Sequence, residues 1–426
     1  MSRVIYWFRN DLRLADSPAL IAACKAASSL IPVYIKPAAE ENTRWGFTRR
    51  SALRQQYLSA TLAALDAELR ALGSRLIVLD GPAPEALETL AGTAQADLVV
   101  CETIAAPEEQ FEVTQLRKLG VRVQEHWQSS MLEPNDLPFD PNNMPDVFTS
   151  FRQRVESTKH LARTAIARPT ALPPFPLLLQ LPAQPAQLAS APTSPPAGEQ
   201  AALQHLAEYF SGTHAGRYKL TRNQLSGTYF STKFSPWLAL GTVSAPTIVE
   251  QLCQYEDRHG ANDSTYWIWF ELLWRDYFRF LHLKYGRKLY ARHGLRRMDD
   301  GRVHDELASL TTSGAKTAFA RWTEGNTRNS LVNAGMNELR ATGWISNRMR
   351  QIVASYLIYD LKLDWRAGAA WFESQLLDYD VYSNQGNWLY IAGLGTDPRG
   401  GRRMNMEKQA LEHDPEGHYR QQWTTT

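Results

Sequence analysis

The chain has 426 residues, 44% of them hydrophobic and 21% charged, with a formal net charge of +2. That length exceeds one ordinary core and predicts at least two domains in a globular chain, and the absence of any run of about 18 apolar residues argues against a membrane span. The net charge is too small to announce nucleic acid by itself.

The opening MSRVIYWFRNDLRL puts charges where a signal peptide needs an apolar run, and Cys24, Cys101 and Cys253 stand apart without CxxC spacing. These features predict a cytoplasmic protein without a disulfide framework or a metal site. Residues 1–130 then alternate β-rich runs with helical stretches. Strands are predicted at Val4–Phe8, Leu30–Ile35, Arg75–Leu79, Asp97–Cys101 and Val121–Glu125, and the longest helix at about Thr48–Leu72. Near-continuous apolar runs fit strands buried on both faces, so the pattern predicts an α/β domain with a doubly wound parallel sheet. No GxGxxG follows the first strand; WFRNDLRLADSPAL stands there instead, so a dinucleotide on this sheet is not supported. Within residues 131–200, the segment Pro169–Pro196 is rich in Pro, Ala and Leu with little periodicity. It is predicted to be a connector lying against protein.

Residues 201–426 are predicted to be mainly helical. Ser231, Thr232, Lys233 and Ser235 gather hydroxyls and a cation that suit an anion. Ser235-Pro236 equally predicts a plain helix start after it. In TYWIWFELLWRDYFRFLHLKYG, the residues Trp267, Phe270, Trp274, Tyr277, Phe278 and Leu281 recur at helical spacing, which alone indicates core. Glu271 discriminates: it lies one turn before Trp274 on the same side, and a carboxylate among aromatics needs a partner or a task. Lys284, Arg287, Lys288, Arg292, Arg296 and Arg297, and later Arg399, Arg402 and Arg403, are clusters for solvated loops or for DNA backbone phosphates. Further on, Ile345, Met349, Ile352, Val353, Tyr356 and Leu357 share one helical face, and Asn347, Arg350 and Ala354 another. One face packs; the other meets a large polar ligand.

The strings SNRMR, DLKLDWRAGAAWFESQLLDYD and SNQGNW resemble the flavin-binding core of the photolyase/cryptochrome family, and RNDLR resembles that family's opening. LEPNDLPF, PDVFTSFRQRVE and GTDPRGGRRMNMEKQALEHDPEGHYRQQW resemble its DASH branch. The resemblance implies a photolyase-type α/β antenna domain at 1–130, a connector at 131–200 and an all-α FAD-binding domain at 201–426. It implies that Tyr218 and the stretch Ser231, Thr232, Lys233, Phe234 and Ser235 wrap the FAD diphosphate. Arg350, paired with Asp378 and near Asp380, would lie by the isoalloxazine ring, with Asn384 facing its N5 as in repair enzymes. The implied reaction is blue-light-driven electron transfer from reduced FAD to a cyclobutane pyrimidine dimer, preferably in single-stranded DNA and out of its stack.

In that reaction Glu271 and Asn347 would hydrogen-bond the lesion, while Trp274 and Tyr390 stack on it. Tyr390 is a smaller platform than the Trp of many duplex-repairing members. Trp388 and Trp365 match the first and middle members of the family's three-tryptophan electron relay. The third falls at Thr311 or Thr312, so a truncated relay is expected, with Tyr285 or Tyr290 as replacements. A pterin antenna, methenyltetrahydrofolate, is the second cofactor implied, with Glu108 or Glu109 near its contact. One departure is TRNSLVNAGM at Thr327–Met336, where Arg328, Ser330, Asn333 and Gly335 replace the family's Gly, Pro, Asp and Ala. Asn333 there removes a carboxylate expected near the flavin. The competing readings are a blue-light signalling receptor that binds FAD and nucleic acid with little repair, and a nicotinamide-using flavoenzyme, which the missing GxGxxG disfavours. A monomer is expected.

Overall fold

The computed structural model describes residues 2–37, 41–176, 192–296 and 307–424. Five parallel strands, β1 (Arg3–Phe8), β2 (Ser29–Lys36), β3 (Ile77–Asp80), β4 (Leu98–Glu102) and β5 (Val123–His126), pair in the order β3-β2-β1-β4-β5. All five lie within a residue or two of the predicted runs. Between them run α1 (Pro18–Ala26), α2 (Ala52–Ala71), α3 (Ala83–Ala94) and α4 (Pro107–Lys118). Alternate strand residues face opposite sides, which is why the apolar runs are continuous: Ile5, Trp7, Ile31 and Val99 pack on one face, and Val4, Tyr6, Leu30 and Val100 on the other.

The remaining helices are α5 (Phe148–Ser157), α6 (Glu199–Ser211), α7 (Tyr218–Thr221), α8 (Ser235–Ala239), α9 (Ala245–His259), α10 (Asp263–Tyr285), α11 (Ser313–Thr323), α12 (Ser330–Thr342), α13 (Asn347–Ser355), α14 (Trp365–Gln375), α15 (Val381–Ala392), α16 (Met406–His413) and α17 (His418–Trp423). The long α10 starts in a capping box at Asn262 and Thr265 and runs through the middle of this body. Two apolar clusters fill the body, one around α5, α6, α9 and α10, the other around α11 to α15. Residues 131–157 belong to the first: Met131, Leu132, Phe148 and Phe151 are buried there, and the Asp276 carboxylate accepts from the Met131 and Leu132 amides at 3.1 and 2.9 Å. The proline-rich segment begins on the sheet domain, with Phe175 against its core and the Leu30 amide bonded to the Pro174 carbonyl at 3.2 Å, and ends on the helical body, where the Pro196 carbonyl accepts from the Trp237 indole N–H at 2.9 Å.

The sheet domain and the helical body meet closely. The Glu199 carboxylate accepts from the Leu14 and Ala15 amides at 2.9 and 2.8 Å. At Gly241 (φ +66°) a Cβ would stand 1.9 Å from the Asn10 carbonyl oxygen, so only glycine lets the two backbones approach this way.

Candidate functional site

A cavity of about 290 Å³ opens in the helical body, lined from α7, α8, α10, α13, α14, α15 and the loop before α8. Helical spacing on α13 explains one wall: Asn347, Arg350, Gln351 and Ala354 face in, while Met349, Ile352 and Val353 are fully buried on the other side. Ser346 caps this helix, its hydroxyl accepting from the Met349 amide at 3.2 Å.

The loop wall carries Ser231, Thr232, Lys233, Phe234 and Ser235, with Tyr218 beside it. The expected helix start after Ser235-Pro236 is shifted: α8 begins at Ser235 itself, Phe234 stands at its cap without a side-chain bond, and Ser235 is freed toward the cavity, where the Trp344 indole N–H reaches it at 3.4 Å. Lys233 holds φ +52°, a strained conformation for a residue with a side chain, and its ammonium donates to the Gly227 carbonyl at 2.8 Å. His205 braces the same loop through the Thr232 carbonyl at 2.9 Å.

Opposite, Arg350 Nη2 donates to Asp378 Oδ2 at 2.7 Å, the expected pair. Asp380 is held by Arg279 at 2.5 Å. Burial opposes the charged form of Asp380, but Arg279 and Arg275 outweigh it and hold the carboxyl at about 2. Asn384 lines the cavity, its amide fixed by the Ala369 carbonyl at 3.0 Å. Two buried polar atoms of this cavity's lining have no hydrogen-bond partner: Ser231 Oγ and Asp378 Oδ1, on opposite walls. Buried polar atoms without partners call for a ligand or water. A cavity with hydroxyls and a cation at one end, and an arginine–aspartate pair with an amide at the other, fits a flavin with its diphosphate.

Glu271 and Asn347 also face this cavity. Glu271 has its partner: the Arg222 guanidinium contacts its Oε1 and lies 4.6 Å over the Trp267 ring. No motif announces Arg222, Phe372 or Asn387, which line the cavity from outside the strings that carried the resemblance to the site, or unmarked within them. Trp274 and Tyr390 do not line it. They border a second cavity of about 200 Å³ with Phe148, Tyr277, Phe278 and Leu389. The expectation that Glu271 and Trp274 share a side fails over that one turn. Ile268, Glu271, Leu272 and Arg275 face the first cavity, whereas Trp274 is stacked on Phe148 of α5, ring centres 3.6 Å apart. The two cavities flank the crossing of α10 and α15, where Phe278 presses on Gly386.

Trp388 lines the flavin-sized cavity, while Trp365 is fully buried, its indole N–H bonded to the Arg292 carbonyl at 3.0 Å. Thr312 caps α11 through the Ala315 amide at 3.2 Å. Tyr285 is tied to Asp146 at 2.6 Å and Tyr290 to His282 at 3.1 Å. Asn333 is remote from the cavity: its side chain exchanges bonds with Thr327, so it shapes the turn before α12. Gly335 makes room for Met349, whose methyl would lie 2.4 Å from a Cβ. The basic cluster after α10 is partly consumed by the fold. Lys284 binds Asp146 at 2.6 Å, Arg292 donates to the Leu307 carbonyl and Arg296 to the Gly393 carbonyl at 3.0 Å, while Arg287 and Lys288 remain exposed. Arg297 lies outside the described residues. Of the later cluster, Arg399 pairs with Asp397 at 3.1 Å and Arg402 covers the Tyr390 ring at 4.9 Å.

A third cavity, about 410 Å³, lies at the carboxyl ends of β1 to β4, where doubly wound sheets bind ligands. Glu108, Glu109, Arg9 and Arg50 line it; Arg9 Nη1 is buried without a hydrogen-bond partner, and Arg50 Nη1 has only the Glu41 carboxylate, 3.7 Å away.

Comparison with known proteins agrees with this architecture. The family described as DNA photolyase matches residues 4–174, and the FAD binding domain of DNA photolyase matches residues 267–426. Cryptochrome DASH of Idiomarina loihiensis is 40% identical, over 98% of this chain and 92% of its own. Cryptochrome DASH of Xenopus laevis is 40% identical over 99% and 82%. A solved cryptochrome of Synechocystis superposes with a TM-score of 0.91 at 38% identity, covering 99% of this chain and 88% of that one. A class III photolyase of Agrobacterium tumefaciens does so with a TM-score of 0.81 at 28% identity, over 99% and 86%.

Proposed function

From the premise that this chain belongs to the photolyase/cryptochrome family, in its DASH branch and with the family's FAD-binding domain, we propose that it repairs cyclobutane pyrimidine dimers in single-stranded DNA under blue light. The observation that carries the reading is Glu271. It is a carboxylate held by Arg222 in the same cavity as Arg350, Asp378 and Asn384. When bound, FAD supplies the light-driven electron that opens the dimer.

The chain's residues do the rest. Tyr218 and Ser231 to Ser235 hold the diphosphate, Lys233 adding the positive charge. Arg350 and the fully buried Asp378 side chain would hold a fixed charge arrangement beside the ring system, where electrostatic effects are larger than in bulk water. Asn384 offers an amide, which donates a hydrogen bond but gives up no proton at neutral pH. Glu271 and Asn347 accept and donate hydrogen bonds to the extruded bases. Trp274, buttressed by Phe148, and Tyr390 stand ready as stacking surfaces on the neighbouring side of α10 and α15. Stacking on an aromatic contributes about 1–3 kcal/mol per base, comparable with the cost of unpairing a lesion. The reduced platform at Tyr390 therefore favours lesions that need no extraction from a duplex. The cavity at the strand ends, where Arg9 Nη1 is buried without a hydrogen-bond partner, is where we place the antenna pterin.

The test is restoration of thymine from a dimer in a single-stranded oligonucleotide, with chemically reduced protein under anaerobic blue light. Recovery of thymine is expected. FAD-loaded protein that restores none would leave the light-signalling reading. The separation of Trp274 and Tyr390 from Glu271 is the observation that favours that alternative.

A further inference from the structure

We infer that electrons reach Trp388 along a column of aromatic rings that passes through Trp322 and opens at the surface at Trp371. The inference rests on the reading of the chain as a light-driven flavoprotein. Trp388 and Phe372 both line the flavin-sized cavity, their ring centres 5.1 Å apart. Phe372 lies nearly parallel to Trp322, at 6.4 Å and 16°. The column continues from Trp322 to Phe319 at 5.8 Å, to Phe47 at 6.0 Å, and to Trp371 at 5.2 Å. Each ring packs on the next, and electron tunnelling falls exponentially with the gap between them.

Tryptophan is far easier to oxidise than phenylalanine, so Trp388, Trp322 and Trp371 are stations and the phenylalanines are bridges. Trp322 is fully buried, its N–H fixed on the Val353 carbonyl at 3.1 Å. Trp371 is partly exposed, and its indole nitrogen has no hydrogen-bond partner. Trp365 offers no such continuation: among the described residues no aromatic ring packs face-on or edge-on against it, and Thr311 and Thr312 follow where a third station is expected.

The electrons balance as follows. Trp388 gives one electron to the light-excited flavin; Trp322 refills Trp388, and Trp371 refills Trp322. An added thiol refills Trp371. Two such events convert two thiols into one disulfide and release two protons to water.

The experiment compares wild type with Trp322→Phe, Trp322→Tyr, Trp371→Phe and Trp365→Phe, after FAD content and melting temperature are matched. Blue-light bleaching with added thiol, transient absorption of tryptophan radicals and peptide mass mapping of oxidised tryptophan are read. Trp322→Phe is expected to lose bleaching down to the level of Trp388→Phe, and Trp322→Tyr, still oxidisable, to regain part of it. Trp371→Phe, at the partly exposed end, should keep the early radical and lose the long-lived one. Oxidised Trp371 should appear in illuminated wild type. Wild-type bleaching in Trp322→Phe with its loss in Trp365→Phe would overturn the route. A wild-type radical lifetime in Trp371→Phe would overturn the surface exit. Equal bleaching of Trp388→Phe and wild type would overturn the relay itself, on which the inference stands.

Discussion

Glu271 and Arg222 set the chemistry of the cavity mouth between them. About a third of the Glu271 side chain and a quarter of that of Arg222 remain exposed, so the pair adds little to stability, typically about 0–1 kcal/mol. Its use is positional: Arg222, braced over Trp267, holds the carboxylate in place at the cavity. Glu271→Ala should therefore lower dimer repair by about 10- to 100-fold, the worth of a hydrogen bond to a charged group, while FAD content stays unchanged. Loss of yellow colour on purification would show that Glu271 serves the flavin instead. Glu271 was legible from its setting among aromatics, because a carboxylate in such surroundings demands a partner or a task. Arg222 was not, because an arginine in KLTRNQLSG carries no such demand until α7 is seen to lie beside α10. The Arg350–Asp378 pair was legible only through the spelling of its strings, since nothing in spacing alone joins α13 to the start of α15.

Helix α10 and its crossing with α15 decide which residues share a cavity. At the crossing Gly386 lies so close to Phe278 that a Cβ would stand 2.2 Å from the ring. Gly386→Ala should overpack this contact and destabilise by about 1–3 kcal/mol, widening the α10–α15 spacing. A melting temperature equal to wild type would show that the ring swings aside at no cost. The packing of α12 and α17 supplies a pH-dependent contact. Glu338 is buried in α12 and hydrogen-bonded to the Tyr419 hydroxyl of α17. Burial pushes its carboxyl from 4.5 up to about 7, against the opposing pull of Tyr419, Lys233 and Arg350. The unfolded chain releases this proton first. The stabilisation is thus full below 4.5 and is lost as pH rises through about 7, a change of about 3 kcal/mol. Glu338→Gln should flatten the melting temperature against pH in that window; an unaltered slope would place the titration elsewhere. Element positions were readable because apolar period differs between strand and helix. The turn from Glu271 to Trp274 was not, because a helix face is fixed by what docks on it, here Phe148 from a segment read as connector.

On the scale of the whole molecule, the sheet domain and helical body bear on one another through Gly241 and Glu199, and the aromatic column crosses from α14 to Phe47 of the sheet domain. The two-part division was readable from the change from βα alternation to helices. The continuity of the helical core back to Met131 was not, since a proline-rich stretch hides which side its ends pack on. This arrangement separates two tasks. Preparing the flavin needs electrons from the surface, through Trp388. On the proposed function, repair would need only the prepared flavin and the lesion, which Glu271 and Asn347 would hold, and neither calls on Trp388. Trp388→Phe should therefore abolish most blue-light bleaching with thiol, yet leave dimer repair by chemically reduced protein near the wild-type rate. The ring is buried against Phe372 and Gly368, so the smaller Phe leaves a void rather than a clash and the fold should survive. Parallel measurement of bleaching and of restored thymine checks both halves. Loss of repair in the reduced variant, with FAD content intact, would mean that Trp388 acts on the substrate side of the reaction and that the two tasks share a residue.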